Sequence, residues 1–152
     1  MQLAALEECL DGLPLGPLRY LEQAGSTNDE AVNWADAGAP DLALVIADEQ
    51  TAGRGRHGRR WFTPPGSALA FSLVLRDNLW TGTLESSPQA FQMVLSRLTA
   101  LGAIAVSQAL RQSLGLESQI KWPNDILLDR RKVSGVLTEA QWLGNQPIAI
   151  IL

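Results

Sequence analysis

The 152-residue chain is 46% hydrophobic and 18% charged, which excludes a disordered polymer and leaves one domain with a sizeable core. A net charge of −4 argues against a general nucleic-acid binder, whose surface would be broadly basic. The lone cysteine, Cys9, has no internal disulfide partner. The start MQLAALEECLDG lacks the basic flank and apolar core of a signal peptide or anchor, and no apolar run approaches a membrane span, so a cytoplasmic protein is expected.

In chain order, Leu3 to Leu10 reads as a short amphipathic segment stopped by Asp11, Gly12 and Pro14, and Arg19 to Glu22 as a brief strand. Thr27 with Glu30 three residues on makes a capping box, so a helix is expected to about Ala37, ended by Gly38 and Pro40. Ser26, Asn28 and Asp29 offer more hydrogen-bonding groups than one cap consumes. Either the helix is simply well capped, or the spare groups face a ligand. Leu42 to Ala47 is a buried strand that delivers Asp48, Glu49 and Gln50, and Ala68 to Leu75 is a second of the same character. Asp77 to Pro88 is an irregular connection. Gln89 to Leu114 has helical periodicity, with Gly102 inside it costing about 1 kcal/mol relative to Ala, and Gly115 ends it. Gln119 to Trp122 and Ile126 to Leu128 are strands around Pro123, Asn124 and Asp125. Asp129 to Arg131 turn, and Lys132 to Ala140 returns with Gly135 marking a bulge or close approach. After a turn at Gly144 to Pro147, Ile148 to Leu152 begins a last strand, and its apolar ending suggests a piece of a longer domain.

Between the two apolar strands lies DEQTAGRGRHGRRWFTPPG, Asp48 to Gly66. Arg54, Arg56, Arg59 and Arg60 put four guanidinium groups into seven residues, interleaved with Gly53, Gly55 and Gly58. Such a loop is either solvated or closes on an anion. The glycines match the G-x-G-x-x-G spacing of a dinucleotide turn, with Asp77 near the place of a ribose-binding acid, but Pro64, Pro65 and Gly66 leave no room for the crossover helix. A P-loop fails for want of the Lys-Ser/Thr pair. Against ten arginines there are only two lysines, Lys121 and Lys132, both in one short segment, which suggests positions that need a compact ammonium.

Ser-Thr-Asn at a helix start, Gln50 before GRGRHGRRW (Gly53 to Trp61), KWPND (Lys121 to Asp125) and KVSG (Lys132 to Gly135) together resemble the catalytic domain of biotin protein ligases, the biotin–[acetyl-CoA-carboxylase] ligases, over Ser26 to Leu152. The resemblance implies an α+β fold: a mixed β-sheet with helices packed on one side, like class II aminoacyl-tRNA synthetases and biotin/lipoate ligases, here incomplete at its C-terminal end. It implies a partial catalytic domain over 1–152, with no winged helix before it and no C-terminal β domain after it. It also implies a two-step reaction in which biotin and MgATP give biotinyl-5′-adenylate and pyrophosphate, and the acyl group then passes to a lysine of a biotin carboxyl carrier domain.

By the family's pattern, Arg56, Lys132, Lys121 and Asp125 serve catalysis. Ser26, Thr27, Asn28, Gln50, Arg54, Gly55, Arg56, Lys132 and Gly135 bind biotin, and Gly53, Gly55, Gly58, Arg59 and Trp61 belong to a loop that folds over the adenylate. Trp61 or Trp122 walls the pocket, or is plain core. Asn124 shapes the turn after Pro123, and Mg²⁺ bridges phosphates with no ligands assigned. His57 takes no role. The expected partners are biotin, ATP and the carrier domain of acetyl-CoA carboxylase, with no nucleic acid and no membrane, and with room for a homodimer. The alternatives are a lipoate or octanoate transferase of the same fold, a nucleic-acid-binding module built on the arginines, and an inactive biotin-binding fragment.

Overall fold

The computed structural model describes residues 3–76, 88–143 and 146–152. Helix α1 is Leu3–Leu10, as its apolar spacing predicts, and strand β1 is Leu18–Leu21. Helix α2 (Thr27–Asp36) leads to β2 (Leu44–Ala47), and β3 (Ala70–Leu75) follows the Gly/Arg loop. Helix α3 (Pro88–Leu114) precedes five strands: β4 (Gln119–Lys121), β5 (Asp125–Leu128), β6 (Arg131–Gly135), β7 (Glu139–Leu143) and β8 (Gln146–Ile151). The irregular connection expected over Asp77 to Pro88 lies outside the described residues except for Pro88, which opens α3, and so do Gly144 and Asn145 of the expected turn.

The chain divides into two compact units, residues 1–79 with 140–151, and residues 80–139 with Leu152. In the first, a mixed sheet runs in the order β1-β2-β3-β8-β7, with β1 and β2 parallel and β3 antiparallel to β2 and to β8. Helix α2 is the crossover between the parallel strands and packs on β2, β3 and β8. It does so through small side chains at helical spacing: Ala31 and Ala35, with Ala39 just beyond, lie against Val45, Val74, Ala149 and Ile151 in a core where each is at most 3% exposed. Trp34 flanks this core, and the guanidinium of Arg19 stacks 3.8 Å from the Trp34 ring centroid. The fold is α+β with a mixed sheet, as the resemblance implies.

The C-terminal end of α2 is closed by Gly38 at φ 88, as expected, and by a residue the sequence did not single out. The Arg76 guanidinium donates to the carbonyls of Ala35 (2.7 Å), Ala39 (2.6 Å) and Ile148 (3.0 Å), while its backbone N–H donates to Asp41 Oδ1 at 2.8 Å. A fixed cation thus meets the helix's unsatisfied carbonyls and ties them to β8.

In the second unit, α3 packs on β4 and β5 of a three-stranded antiparallel sheet, β4-β5-β6. By length and composition Gln89–Leu114 would suffice to cross a membrane, although no uninterrupted apolar run in the sequence does. Arg97 and Arg111 interrupt it, and Phe91, Thr99 and Ala103 are buried on one side. Gly102, costly on propensity alone, has its reason in packing: a Cβ there would stand 3.1 Å from Val136 Cγ1. The β5–β6 turn is the pair Asp129 and Arg130, at φ 47 and 65, the left-handed geometry of a tight hairpin.

The single strand expected over Lys132 to Ala140 is two. Strand β6 ends at Gly135, and β7 starts at Glu139 in the other sheet. Asn124 extends the pairing one position past Gly135, its backbone carbonyl accepting from Val136 N–H at 2.9 Å and its Nδ2 donating to Val136 O at 3.2 Å. Asn124 therefore holds the end of β6 as well as shaping the turn after Pro123.

Replacing Arg76 by Met removes the side-chain donors to Ala35 O and Ala39 O at the end of α2 and to Ile148 O of β8, and should destabilise the first unit by about 2–3 kcal/mol, the range for hydrogen bonds to a charged group. Urea unfolding of Arg76→Met followed by circular dichroism measures this; a loss below about 0.5 kcal/mol would remove the capping role.

Candidate functional site

Strands β1 and β2 are parallel, so their C-terminal ends emerge side by side, where ligands collect on open α/β sheets. Ala24 and Gln50 continue the pairing as an isolated parallel bridge, with Ala24 N–H to Glu49 O at 3.0 Å and Thr51 N–H to Ala24 O at 2.9 Å. Side chains reinforce the junction. Gln23 Nε2 donates to Glu49 Oε2 at 2.7 Å, and the Tyr20 hydroxyl donates to Asp48 Oδ2 at 2.5 Å. That hydrogen bond to a carboxylate, with desolvation and the Asp48 and Glu22 charges behind it, pushes the Tyr20 phenol up to about 12.

Helix α2 starts one residue earlier than the capping box predicts. Its N-cap is Ser26, in extended conformation and without a side-chain cap hydrogen bond, so Thr27 is the first helical residue. The expected reciprocal box is replaced by a tertiary cap. Gln50 Oε1 accepts from Thr27 N–H at 2.9 Å and lies 3.1 Å from Thr27 Oγ1, while Gln50 Nε2 donates to Thr63 Oγ1 at 3.4 Å. Beneath them Ser72 Oγ of β3 is 2.9 Å from Thr27 Oγ1 and 2.5 Å from Asn28 Oδ1. Ser26, Thr27, Asn28, Thr63 and Ser72 are all buried, each at most 8% exposed. This is a dense buried polar cluster, and each hydroxyl withdrawn from water needs a partner. The hydroxyl of Ser26 is buried, and it is not spent on capping its own helix.

The Gly/Arg stretch folds as a narrow hairpin. Gln50 N–H donates to Thr63 O (3.2 Å), Trp61 N–H to Gly53 O (2.8 Å) and Gly55 N–H to Arg59 O (2.7 Å), and the tip is a 3₁₀ turn at Arg56–Gly58 with His57 at φ 59 and Gly58 at φ 71. Gly53 is there for space, since a Cβ would meet Trp61 O at 2.6 Å and Gln50 Nε2 at 3.1 Å. Gly55 has only ordinary contacts at 3.6 Å, so the hairpin itself does not demand glycine there. Arg56, Arg59 and Arg60 are exposed and Trp61 is half-buried. Arg54 is ion-paired with Asp29 in the first turn of α2. An internal carboxylate thus supplies part of the charge compensation for the arginines of this loop.

The second unit holds the other cluster. Lys121, Asp125 and Gly135 form one row across β4, β5 and β6, Lys121 opposite Asp125 and Asp125 opposite Gly135. Lys132, displaced from simple alternation by the irregularity at Ile126/Leu127, brings Nζ to 2.5 Å from Asp125 Oδ1. Gly135 is the close approach expected of it: a Cβ would stand 2.9 Å from both Cε and Nζ of Lys132. Lys121 is exposed, and Trp122 is 72% exposed, so Trp122 is not a core residue of this unit. A cavity of about 330 Å³ in this unit is lined by Glu117, Gln119, Leu127, Asp129 and Arg130 and contains none of the expected site residues.

Each set of expected residues is thus gathered within its own unit: Ser26, Thr27, Asn28, Gln50 and the residues from Gly53 to Trp61 in the first, and Lys121, Asp125, Lys132 and Gly135 in the second. Three participants were missed. Ser72 sits in a run read as wholly apolar, Thr63 in a segment read as loop closure, and Asp29 in a first turn read only as capping. The signal for Ser72 was present, since a hydroxyl on the inward alternation of AFSLVL asks for a buried partner.

A buried polar cluster thus lies at the open ends of parallel strands, flanked by a glycine-arginine hairpin, in an α+β domain with a mixed sheet. Residues 20–152 match the model of the Biotin/lipoate A/B protein ligase family, and the chain belongs to that family. It is 41% identical over 124 residues to the Bifunctional ligase/repressor BirA of Bacillus subtilis, covering 82% of this chain and 35% of the relative. It is 38% identical over 126 residues to the Biotin--[acetyl-CoA-carboxylase] ligase of Paracoccus denitrificans, covering 82% of this chain and 47% of that protein. The fold is similar to a biotin protein ligase from Aquifex aeolicus solved in complex with biotin and ATP, with TM-score 0.66 and 30% identity over 89% of this chain and 50% of that one. The chain therefore spans about a third to a half of the length of these relatives.

Gly53→Ala should destabilise the first unit by about 1–3 kcal/mol, the cost of forcing the Trp61 carbonyl and the Gln50 side chain aside, whereas Gly55→Ala should stay within about 1 kcal/mol. Thermal or urea unfolding of the two variants side by side checks this, and equal losses would contradict the steric assignment.

Proposed function

We propose that this chain carries the biotin-activating chemistry of a biotin–protein ligase acting in the cytoplasm: biotin and MgATP give biotinyl-5′-AMP and pyrophosphate, and the biotinyl group then passes to a lysine of a biotin carboxyl carrier domain. The observation that carries the reading is the cluster of buried Ser26, Thr27 and Asn28 with half-buried Gln50 at the head of α2, in a member of this family. Biotin's ureido ring has two N–H donors and a strong carbonyl acceptor on a small apolar body. It needs fixed donors and acceptors on dry ground, and hydroxyl and amide groups supply both. The names of the relatives, and the biotin and ATP in the Aquifex complex, support this choice of ligand.

In the first step a biotin carboxylate oxygen attacks the α-phosphorus of ATP and the bond to pyrophosphate breaks. Two anions must meet, and negative charge grows on the phosphoryl oxygens, so fixed cations lower the barrier. Lys132 serves as such a cation, its ammonium 2.5 Å from the Asp125 carboxylate that orients it, with Lys121 opposite Asp125 across the sheet. Arg56, at the exposed tip of the hairpin, retains the adenylate, and Gly53, Gly55, Gly58, Arg59 and Trp61 let the loop close on it and exclude water from the mixed anhydride. Gly55 fits this role because its own fold leaves room that a ligand can use. In the second step the carrier's lysine nitrogen attacks the acyl carbon and AMP leaves. Mg²⁺ would arrive on the phosphates as part of MgATP, neutralising their charge.

The test is adenylate formation from radiolabelled ATP, with lipoate and octanoate as controls. Product with biotin alone supports the reading, and product with lipoate instead overturns it in favour of the family's other branch. With biotin, Lys132→Ala should lower the rate by about 10²–10³-fold, the usual cost of removing one transition-state cation or donor. Arg56→Gly should still make adenylate but release it, labelling bystander lysines. Equal and complete loss in both variants would contradict this division of roles.

A further inference from the structure

Thr63 is 1% exposed, and its side chain lies beside that of Gln50, its partner in an antiparallel bridge. The Thr63 carbonyl is spent on that bridge, accepting from Gln50 N–H at 3.2 Å. The polarity of the side-chain contact follows from α2. Thr27 N–H can only donate, so the end of the Gln50 amide 2.9 Å from it is Oε1, which also takes the Thr27 hydroxyl proton at 3.1 Å. Nε2 is thereby turned to Thr63 and donates to Oγ1 at 3.4 Å. The Thr63 hydroxyl is the acceptor in that contact, so its own proton is left to give, and no acceptor for it stands among the described residues. A donor buried in that state costs free energy, and valine, an apolar side chain of the same shape, would avoid the cost. We infer that Thr63 is a specificity-determining residue, its hydroxyl a buried donor kept for an acceptor oxygen of the ligand.

The inference rests on the proposed biotin site and adds a residue to it. Ser26, at the head of α2, is 3% exposed and makes no side-chain cap, so a second buried hydroxyl of the same unit is not spent on its own helix. A ureido carbonyl is a strong acceptor with room for more than one donor, and hydroxyl groups meet it by rotating, without bringing charge into a dry site. The dithiolane ring of lipoate offers two sulfurs and no such oxygen. With that ring in place the Thr63 proton would stay buried and unpaired, and a site that must bury an unpaired donor rejects the ligand that leaves it so. The position thus favours a ureido ring over the ring used in the family's other branch.

The experiment measures equilibrium binding of biotin to the unaltered chain, to Thr63→Val and to Thr63→Ser, with urea unfolding of all three in the absence of ligand. Because the hydroxyl proton has no acceptor in the free unit, Thr63→Val should unfold at the same or a higher urea concentration while its biotin affinity falls about 10–100-fold. Thr63→Ser keeps the donor and should bind within about fivefold of the unaltered chain. A structural hydroxyl would give the opposite pattern, with stability lost and affinity kept. Biotin affinity of Thr63→Val within about threefold of the unaltered chain, a clear fall in its urea midpoint, its failure to fold, or an equal loss of affinity in Thr63→Ser each overturns the inference and leaves the proposed function standing. An unaltered chain that folds and does not bind biotin overturns the proposed function, and this inference with it.

Discussion

The first unit depends on one amide. Gln50 leaves the end of β2 and turns Oε1 onto the first N–H of α2, so the strand that follows the crossover caps the helix that made it. The N-terminus of a helix has unsatisfied donors, and its own sequence usually supplies the acceptor. Here the acceptor comes from 23 residues away. That choice frees the Ser26 hydroxyl from capping and places Thr27 and Asn28 inside, over Ser72. It also fixes where the Gly/Arg hairpin begins, because Gln50 is paired on one side with Ala24 and on the other with Thr63. A local capping box would have made the same helix with no cluster beneath it.

The two clusters solve different physical problems. The first is neutral and buried, suited to recognising a polar, uncharged ring by direction rather than by charge. The hairpin above it and the lysine cluster of the second unit are cationic and exposed, suited to anions that arrive and leave. Charge in both places is held at rest by an internal acid, Asp29 for Arg54 and Asp125 for Lys132. Both pairs are partly open to solvent, so they add little to stability. Their consequence is geometric: each cation waits in a defined place beside a carboxylate.

Much of the fold was legible because its signals are local. The apolar runs gave β2 and β3, helical spacing gave α3, and Gly38 and Asp129 gave a helix end and a turn. The strings GRGRHGRRW, KWPND and KVSG, with STN upstream, carried the family. What was not legible depended on partners distant in sequence. The N-cap moved to Ser26 because Gln50 took over Thr27, Asn124 held Val136 past the end of β6, and Arg76 looked like any charge at a strand end until it met the carbonyls of α2. Spacing within the first turn of α2 cannot distinguish a local cap from one made by a distant glutamine, and a serine in an apolar strand shows its purpose only when the opposite helix is in place.

The most direct measurement is the biotin affinity of Gln50→Leu, a change that keeps side-chain bulk while deleting the acceptor for Thr27 and the donor to Thr63. If Gln50 organises the site, biotin binding should fall by at least about a hundredfold in a chain that still folds, a loss expected when a buried hydrogen-bonding site is left unpaired. Biotin binding within about threefold of the unaltered chain would contradict the account, because the cluster at the head of α2 would then be structural and the ligand would have to sit elsewhere.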